Sequence, residues 1–308
     1  MRIVFMGTPD FAVASLKALL DAGEQVVAVV TAPDKPAGRG QKLHQSAVKV
    51  FAEANNLPVL QPEKLRDPQF IETLKSYQAD LQVVVAFRML PEIVWNMPPR
   101  GTINVHASLL PQYRGAAPIN HAVMNGEKVS GVTTFLLQHE IDTGNILLAQ
   151  QVEIADTDNA GILHDKLMHA GAETLIKTIK GLRDNTLNPI PQEDIAVEEL
   201  KHAPKIFKED CRIDWDNSTD QVYNQIRGLS PYPTAFTYLN DKMLKIFEGE
   251  KMRESHTLTP GKVVSDGKTY MRFATQDGYI NLKTIQIEGK KRMEINEFLK
   301  GYRFEKEL

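Results

Sequence analysis

Apolar residues in the first hundred positions fall into short runs separated by amphipathic stretches. Arg2–Met6 is a brief apolar run closed by Gly7-Thr8-Pro9-Asp10. Phe11, Leu16, Leu19 and Leu20 then share one face of a helix over Pro9–Leu20. Gln25–Thr31 and Leu81–Phe87 are continuous and β-branched, as strands buried on both faces should be. Ser46–Asn55 has helical spacing with Ser46 as its N-cap, and Thr102–Val105 makes a fourth short strand. Alternating strands and helices predict an α/β, Rossmann-like domain with a mostly parallel sheet.

The pattern then changes. Gly131–Gln138 and Ile146–Ile154 predict a long hairpin, and Asn159–Leu182 carries the longest helical pattern, with Leu163, Leu167, Ala170, Leu175 and Ile179 in phase. Prolines and acidic pairs mark a linker at 185–208, which divides a domain at 1–184 from one at 209–308. The second domain opens with a helix near Ser218–Arg227. Strand-like runs follow near 234–239, 243–248, 262–266, 270–274 and 279–287. Five short strands with turn residues between them predict a smaller OB-type β-barrel.

Composition narrows the function. The 308 residues carry a net charge of −3, spread as 18 basic and 23 acidic residues over 1–204 and 18 and 16 beyond. That asymmetry is too mild to imply a nucleic-acid partner by itself. The single cysteine, Cys211, excludes an intrachain disulfide framework and a Cys-rich zinc site. No apolar run reaches a membrane-spanning length of about 18 residues. The N-terminus reads as neither a signal nor a transit peptide, so a reducing cytoplasm is expected. The first turn lacks the G-x-G-x-x-G of dinucleotide binding. Metalloprotease, nucleophile-elbow and P-loop motifs are also missing, and no metal is expected.

Three stretches could carry chemistry. Asn104 and His106 lie two apart at a strand end and so point to one side, where an amide and an imidazole could stabilise an oxyanion and manage a proton. A solvent-facing polar strand end explains the same spacing. Asp142, in Asp142-Thr143-Gly144, could reach back to such an imidazole and tune its charge, or could simply form a hairpin turn. Residues 32–49 form a long, flexible basic loop in which Lys35, Arg39, Lys42 and Lys49 face Asp34 alone. Such a loop stands beside the ligand crevice of a parallel sheet, or is a solvated surface loop.

Gly7-Thr8-Pro9-Asp10-Phe11, Pro36-Ala37-Gly38-Arg39-Gly40, Asn104-x-His106-x-Ser108-Leu109-Leu110-Pro111, Arg114-Gly115-Ala116-Ala117-Pro118-Ile119, Asp142-Thr143-Gly144, Lys208-Glu209-Asp210 and Ile213-Asp214-Trp215 together resemble the folate-dependent formyltransferases. The resemblance covers essentially the whole chain, and the Pro-Ala-Gly-Arg-Gly loop narrows it to the branch acting on methionyl initiator tRNA. It implies formyl transfer from 10-formyltetrahydrofolate, without a metal, by a bacterial monomer. Asn104 would donate to the oxyanion, His106 would be a second donor and proton handler, and Asp142 would pair with the imidazole. Ser108, Leu109, Leu110 and Pro111 would border the folate. Phe87, Arg88, Met89 and Leu90 would hold the pterin, although this stretch is one residue shorter than the Ala-Tyr-Gly-x-Ile-Leu-Pro pattern of many relatives. Lys35, Arg39 and Lys42 would contact tRNA. A formyltransferase acting on an amino-sugar nucleotide is the near alternative, and an RNA-binding module with an inert α/β half is the distant one.

Overall fold

The computed structural model describes residues 1–37 and 42–302. Its chain begins with β1 (Arg2–Gly7), α1 (Asp10–Asp21), β2 (Gln25–Val30), β3 (Lys35–Ala37) and β4 (Lys42–His44). Next come α2 (Ala47–Ala54), β5 (Val59–Leu60), α3 (Pro68–Ser76), β6 (Leu81–Val85), α4 (Glu92–Trp95) and β7 (Thr102–His106). After β8 (Arg114–Gly115) and α5 (Pro118–Met124), strands β9 (Val129–Leu136) and β10 (Ile146–Glu153) lead into α6 (Ala160–Asp184). The remainder holds β11 (His202–Ala203), α7 (Thr219–Gly228), β12 (Ala235–Leu239), β13 (Lys242–Met252) and β14 (Val263–Ser265). It closes with β15 (Met271–Ala274), β16 (Tyr279–Ile287), β17 (Met293–Glu294) and α8 (Ile295–Gly301).

Two compact units share the chain. The first comprises residues 1–115, 129–153 and 164–202, and the second comprises 116–128, 154–163 and 203 onward. The first unit is built on a sheet of order β10-β9-β7-β6-β1-β2-β5. Strands β7, β6, β1, β2 and β5 run parallel, and the β9–β10 hairpin adds an antiparallel edge against β7. The parallel strands are apolar on both faces because helices cover both. Val4, Met6, Ala28, Val30 and Val84 pack with Phe70, Leu74 and Val94 from α3 and α4. On α6, the residues in phase by sequence (Leu163, Leu167, Ala170, Leu175 and Ile179) are all buried.

The chain leaves β1 toward β2 and β5, then crosses back to β6 and β7. Reversal of strand order opens a crevice at the carboxyl ends of β1 and β6, the usual ligand position in such sheets. Gly7 lets α1 approach this point, since a Cβ there would lie 2.6 Å from Ala12 Cβ and 2.9 Å from the Val85 carbonyl.

Local signals explain several element ends. Ser46 caps α2 by accepting from the Lys49 N–H at 3.0 Å. The β6 strand stops at Val85, two residues before the expected Phe87, because Ala86 turns to a φ of +46°. Helix α3, not anticipated from the apolar pattern, begins at a conventional cap, with Asp67 accepting from Gln69 and Phe70 N–H groups and Pro68 in the first turn. Residues 32–49 were expected to be a flexible loop, yet the described flanks pair as the antiparallel β3–β4 hairpin.

Residues 185–202 fold into the first unit, whereas proline and acidic content suggested a linker. Ile190 and Ile146 exchange both backbone hydrogen bonds, at 2.8 and 2.9 Å, and Ile195 packs against Leu110, Phe135 and Ile146. Isolated isoleucines in a polar stretch leave little periodic trace, so such docking is invisible along the chain.

The second unit contains a curled antiparallel sheet of order β12-β13-β16-β15-β14, the expected OB-like domain. Trp215 stacks on Phe273 with ring centroids 4.5 Å apart inside its core. Helix α7 starts in a full capping box between Ser218 and Gln221.

Candidate active site

Strand β7 sets two of the three expected side chains. It pairs with β6 so that Asn104 lies beside Val84, and with β9 so that His106 lies beside Thr133. Alternation puts Asn104 and His106 on one face at the carboxyl end of the strand. The Asn104 amide has no hydrogen-bond partner among the described residues. His106 is 7% exposed, and its Nε2–H donates to the Tyr113 carbonyl at 2.9 Å. A neutral imidazole carries one N–H, so Nδ1 holds the lone pair.

Asp142 reaches the same place from the β9–β10 connection. Its Oδ2 lies 3.9 Å from His106 Nδ1 and accepts from the Gly115 N–H at 3.0 Å. The first distance is too long for a hydrogen bond, but it suits an ion pair when Nδ1 is protonated. Asp142 adopts φ +55°, which short polar residues tolerate better than most. Gly144 follows because the loop backbone presses on β9. A Cβ at this position would lie 1.6 Å from the Leu136 carbonyl oxygen.

The turn after β7 is tied down from inside. Ser108 is fully buried and donates to the Gln112 carbonyl at 2.6 Å. Thr133 Oγ1 donates to the Ser108 carbonyl at 2.7 Å and accepts from the Leu110 N–H at 3.1 Å. Ser108 therefore holds the turn and presents no free hydroxyl to a ligand. Leu110 and Pro111 are buried, while Leu109 is half-buried in the same turn.

Residues 87–90 occupy the loop after β6. Phe87 is half-buried, Met89 is 74% exposed and Leu90 is buried. Arg88 folds back, its guanidinium donating to the carbonyls of Pro62 and Glu63. Among the described residues, the peptide groups of Phe87, Arg88 and Met89 make no backbone hydrogen bond. Leu137 and Phe87 pack on the core beside Leu90. His139 lies 3.5 Å from Glu92 and edge-on to Trp95, which sets the Asp142 loop across from the start of α4. Half-buried apolar surface at Phe87 thus lies beside peptide groups without backbone partners, a combination that can meet a flat ring bearing amide-like groups.

At the basic loop, Lys35 is exposed and Lys42 lies on β4, while Arg39 falls outside the described residues. Lys49 is spent on Asp34 at 2.5 Å, and Gln61 donates to the same carboxylate at 2.7 Å. The hydrogen bond from Lys49, followed by that from Gln61, holds the Asp34 carboxyl below its usual value. No group of three or more potential metal ligands occurs among the described residues, and none of their helices is long and apolar enough to cross a membrane.

Sequence reading missed three groups at this site. Tyr113 and Gly115 act through main-chain atoms, which leave no residue-type signature. Gln192 is 4% exposed and donates to the carbonyls of Asp142 and Gly144, although it sits in a stretch read as a linker.

Known proteins are similar along the whole chain. A formyl transferase model matches residues 1–179, and a model of the formyl transferase C-terminal domain matches residues 205–303. A methionyl-tRNA formyltransferase of Bacteroides fragilis is 55% identical over 98% of this chain and 95% of its own length. One from Flavobacterium johnsoniae is 50% identical over 100% and 98%. A solved sugar 3N-formyl transferase superposes with a TM-score of 0.68 at 21% identity, covering 94% of this chain and 99% of that protein. HypX from Aquifex aeolicus, solved with tetrahydrofolic acid, gives a TM-score of 0.65 at 21% identity, covering 98% of this chain and 48% of its own.

Proposed function

The chain belongs to the formyl transferase family, and from that premise we propose that it moves the formyl group of 10-formyltetrahydrofolate onto the α-amino group of methionyl initiator tRNA. The observation that carries this reading is the convergence of Asn104, His106 and Asp142 at the carboxyl end of β7. It occurs in a chain 55% identical to a methionyl-tRNA formyltransferase. The product would be the formylated tRNA that begins translation, so the enzyme works in the bacterial cytoplasm, and it acts as a monomer.

The donor supplies an electrophilic formyl carbon. The neutral amine attacks it, a C–N bond forms, and negative charge develops on the formyl oxygen. Asn104, whose amide is otherwise uncommitted, donates to that oxygen. A preorganised donor of this kind is worth about 3–4 kcal/mol of barrier. With Nε2–H occupied by Tyr113, the proton leaving the amine goes to His106 Nδ1, and Asp142 stabilises the resulting imidazolium. Nδ1–H is then the second donor near the oxyanion. As the oxyanion collapses to the new amide carbonyl and the bond from the formyl carbon to the folate nitrogen breaks, His106 Nδ1–H gives its proton to that nitrogen and the imidazole returns to its neutral form.

Residues 87–90 would hold the pterin through free peptide groups and the apolar surface of Phe87 and Leu90. Leu109 and Pro111 would border it, with Ser108 and Leu110 fixing their turn. Lys35, Arg39 and Lys42 would meet the acceptor stem, and the OB-like unit would add phosphate contacts. Use of the folate donor rests on the same fit.

The test supplies the purified chain with 10-formyltetrahydrofolate and either methionyl initiator tRNA or an amino-sugar nucleotide. Formylation of the tRNA alone is expected. Turnover only with the sugar nucleotide would favour the alternative acceptor, and binding of tRNA without turnover would leave an RNA-binding module.

A further inference from the structure

Gln192 uses its amide to join three parts of the first unit. Nε2 donates to the Asp142 carbonyl at 2.8 Å and to the Gly144 carbonyl at 2.9 Å. Oε1 accepts from Arg114 Nε at 3.0 Å and Nη2 at 2.7 Å. Both amide protons and both carbonyl lone pairs are therefore used, inside a residue 4% exposed. The next residue after Arg114 is Gly115, whose N–H holds the Asp142 carboxylate. Asp142 is thus gripped at its main chain by Gln192 and at its side chain by the neighbour of the arginine that Gln192 binds.

The same segment also supports His106. Its Nε2 partner is the Tyr113 carbonyl, and the Tyr113 N–H donates to the Lys201 carbonyl at 2.7 Å. Gln112 fixes this connection from both sides, donating to the Glu199 carbonyl at 2.7 Å and accepting from the Lys201 N–H at 2.8 Å.

We propose that Gln192 is a positioning residue for the transfer reaction, fixing the Asp142 backbone so that its carboxylate faces His106 Nδ1. This rests on the role assigned to Asp142 above. Asp142 sits at φ +55° at the tip of a polar connection, a conformation that one short side chain does not enforce alone. A complementary amide clamped by a guanidinium supplies the missing constraint. Displacing a reacting group by about 1 Å can cost about a hundredfold in rate.

The experiment measures kcat and KM for tRNA and for the folate donor in wild type, Gln192→Leu, Gln192→Glu, Asp142→Asn and the Gln192→Leu/Asp142→Asn double variant. Thermal unfolding of each is followed in parallel. Gln192→Leu is expected to lower kcat by about ten- to a hundredfold, with both KM values within about threefold. Gln192→Glu keeps the Arg114 partner but loses the two N–H donors, so it should be impaired in kcat as well. In the Asp142→Asn background, Gln192→Leu should add little, because groups acting as one unit are not additive.

Wild-type kcat in Gln192→Leu, with Asp142→Asn inactive, overturns this inference alone. So do full rate factors that multiply in the double variant, which would mark a general structural role. Full activity in Asp142→Asn overturns the assignment of Asp142 itself. If Gln192→Leu does not fold, Gln192→Glu carries the same comparison, and wild-type kcat there refutes the inference.

Discussion

Replacing Gly144 by alanine tests how tightly the Asp142 loop is held. The added Cβ would fall 1.6 Å from the Leu136 carbonyl oxygen and 2.8 Å from its carbonyl carbon, where real Cβ atoms essentially never come closer than 3.0 Å. The loop must therefore retreat by about 1.4 Å, the gap between 1.6 and 3.0 Å, because β9 is pinned by both β7 and β10. Gly144 lies two residues from Asp142, and its carbonyl shares the Gln192 donor with the Asp142 carbonyl. The retreat thus carries the carboxylate away from His106. A displacement of that size predicts a kcat lower by about a hundredfold. Overpacking of this kind costs about 1–3 kcal/mol of stability, which in a chain this long lowers the melting temperature by a few degrees. Initial rates of methionyl-tRNA formylation across donor concentrations, with a melting curve on the same sample, separate the two effects. Gly301→Ala is the control, since its Cβ would meet nothing within 4 Å. A Gly144→Ala enzyme with kcat within twofold of wild type would show that the loop yields without moving Asp142, and the geometric argument would fail.

Asn104→Ala and His106→Ala are each expected to cut kcat by about a hundredfold or more, as loss of a preorganised donor or proton acceptor does. Melting curves close to wild type would attribute the loss to chemistry, and near-normal turnover in either variant would remove that residue from the catalytic group. Arg39→Ala should weaken kcat/KM for methionyl-tRNA by about ten- to a thousandfold while leaving folate affinity alone. Its salt dependence of tRNA binding should flatten by about one unit of slope, and unchanged tRNA use at low and high salt would contradict the role. In the second unit, hydrogen bonds from the Thr219 N–H and hydroxyl hold the Asp277 carboxyl below its ordinary value, and Lys251 does the same for Asp220. A lowered folded value means this stabilisation is complete above about pH 4 and is lost as pH falls through the folded value. Melting temperature should therefore drop on acidification, and less steeply in Asp277→Ala. An identical acid slope in that variant would show that the carboxylate contributes nothing there.

Much of this protein was legible along the chain because its physics is local. Strands β1 and β2 need nearly unbroken apolar or β-branched runs, and α2 and α7 need the serine caps at Ser46 and Ser218. The two-residue spacing of Asn104 and His106 already put both on one side of a strand. Asp142-Thr143-Gly144 was visible as a motif, and so was the basic stretch around Lys35. Tertiary structure alone decided what those residues meet. The Tyr113 carbonyl selects which imidazole nitrogen keeps its lone pair, the Gly115 N–H orients the carboxylate, and the Leu136 carbonyl requires glycine at position 144. Main-chain partners carry no sequence signature. Gln192 showed the same blindness from the other side, a polar residue among prolines and acids whose four hydrogen bonds exist only after residues 190–201 fold back on the sheet. Its contacts to Arg114 and Asp142 span 78 and 50 positions of chain. Periodicity and spacing report neighbours within a few residues, and the distances that set up this site are settled by chain closure over tens of residues.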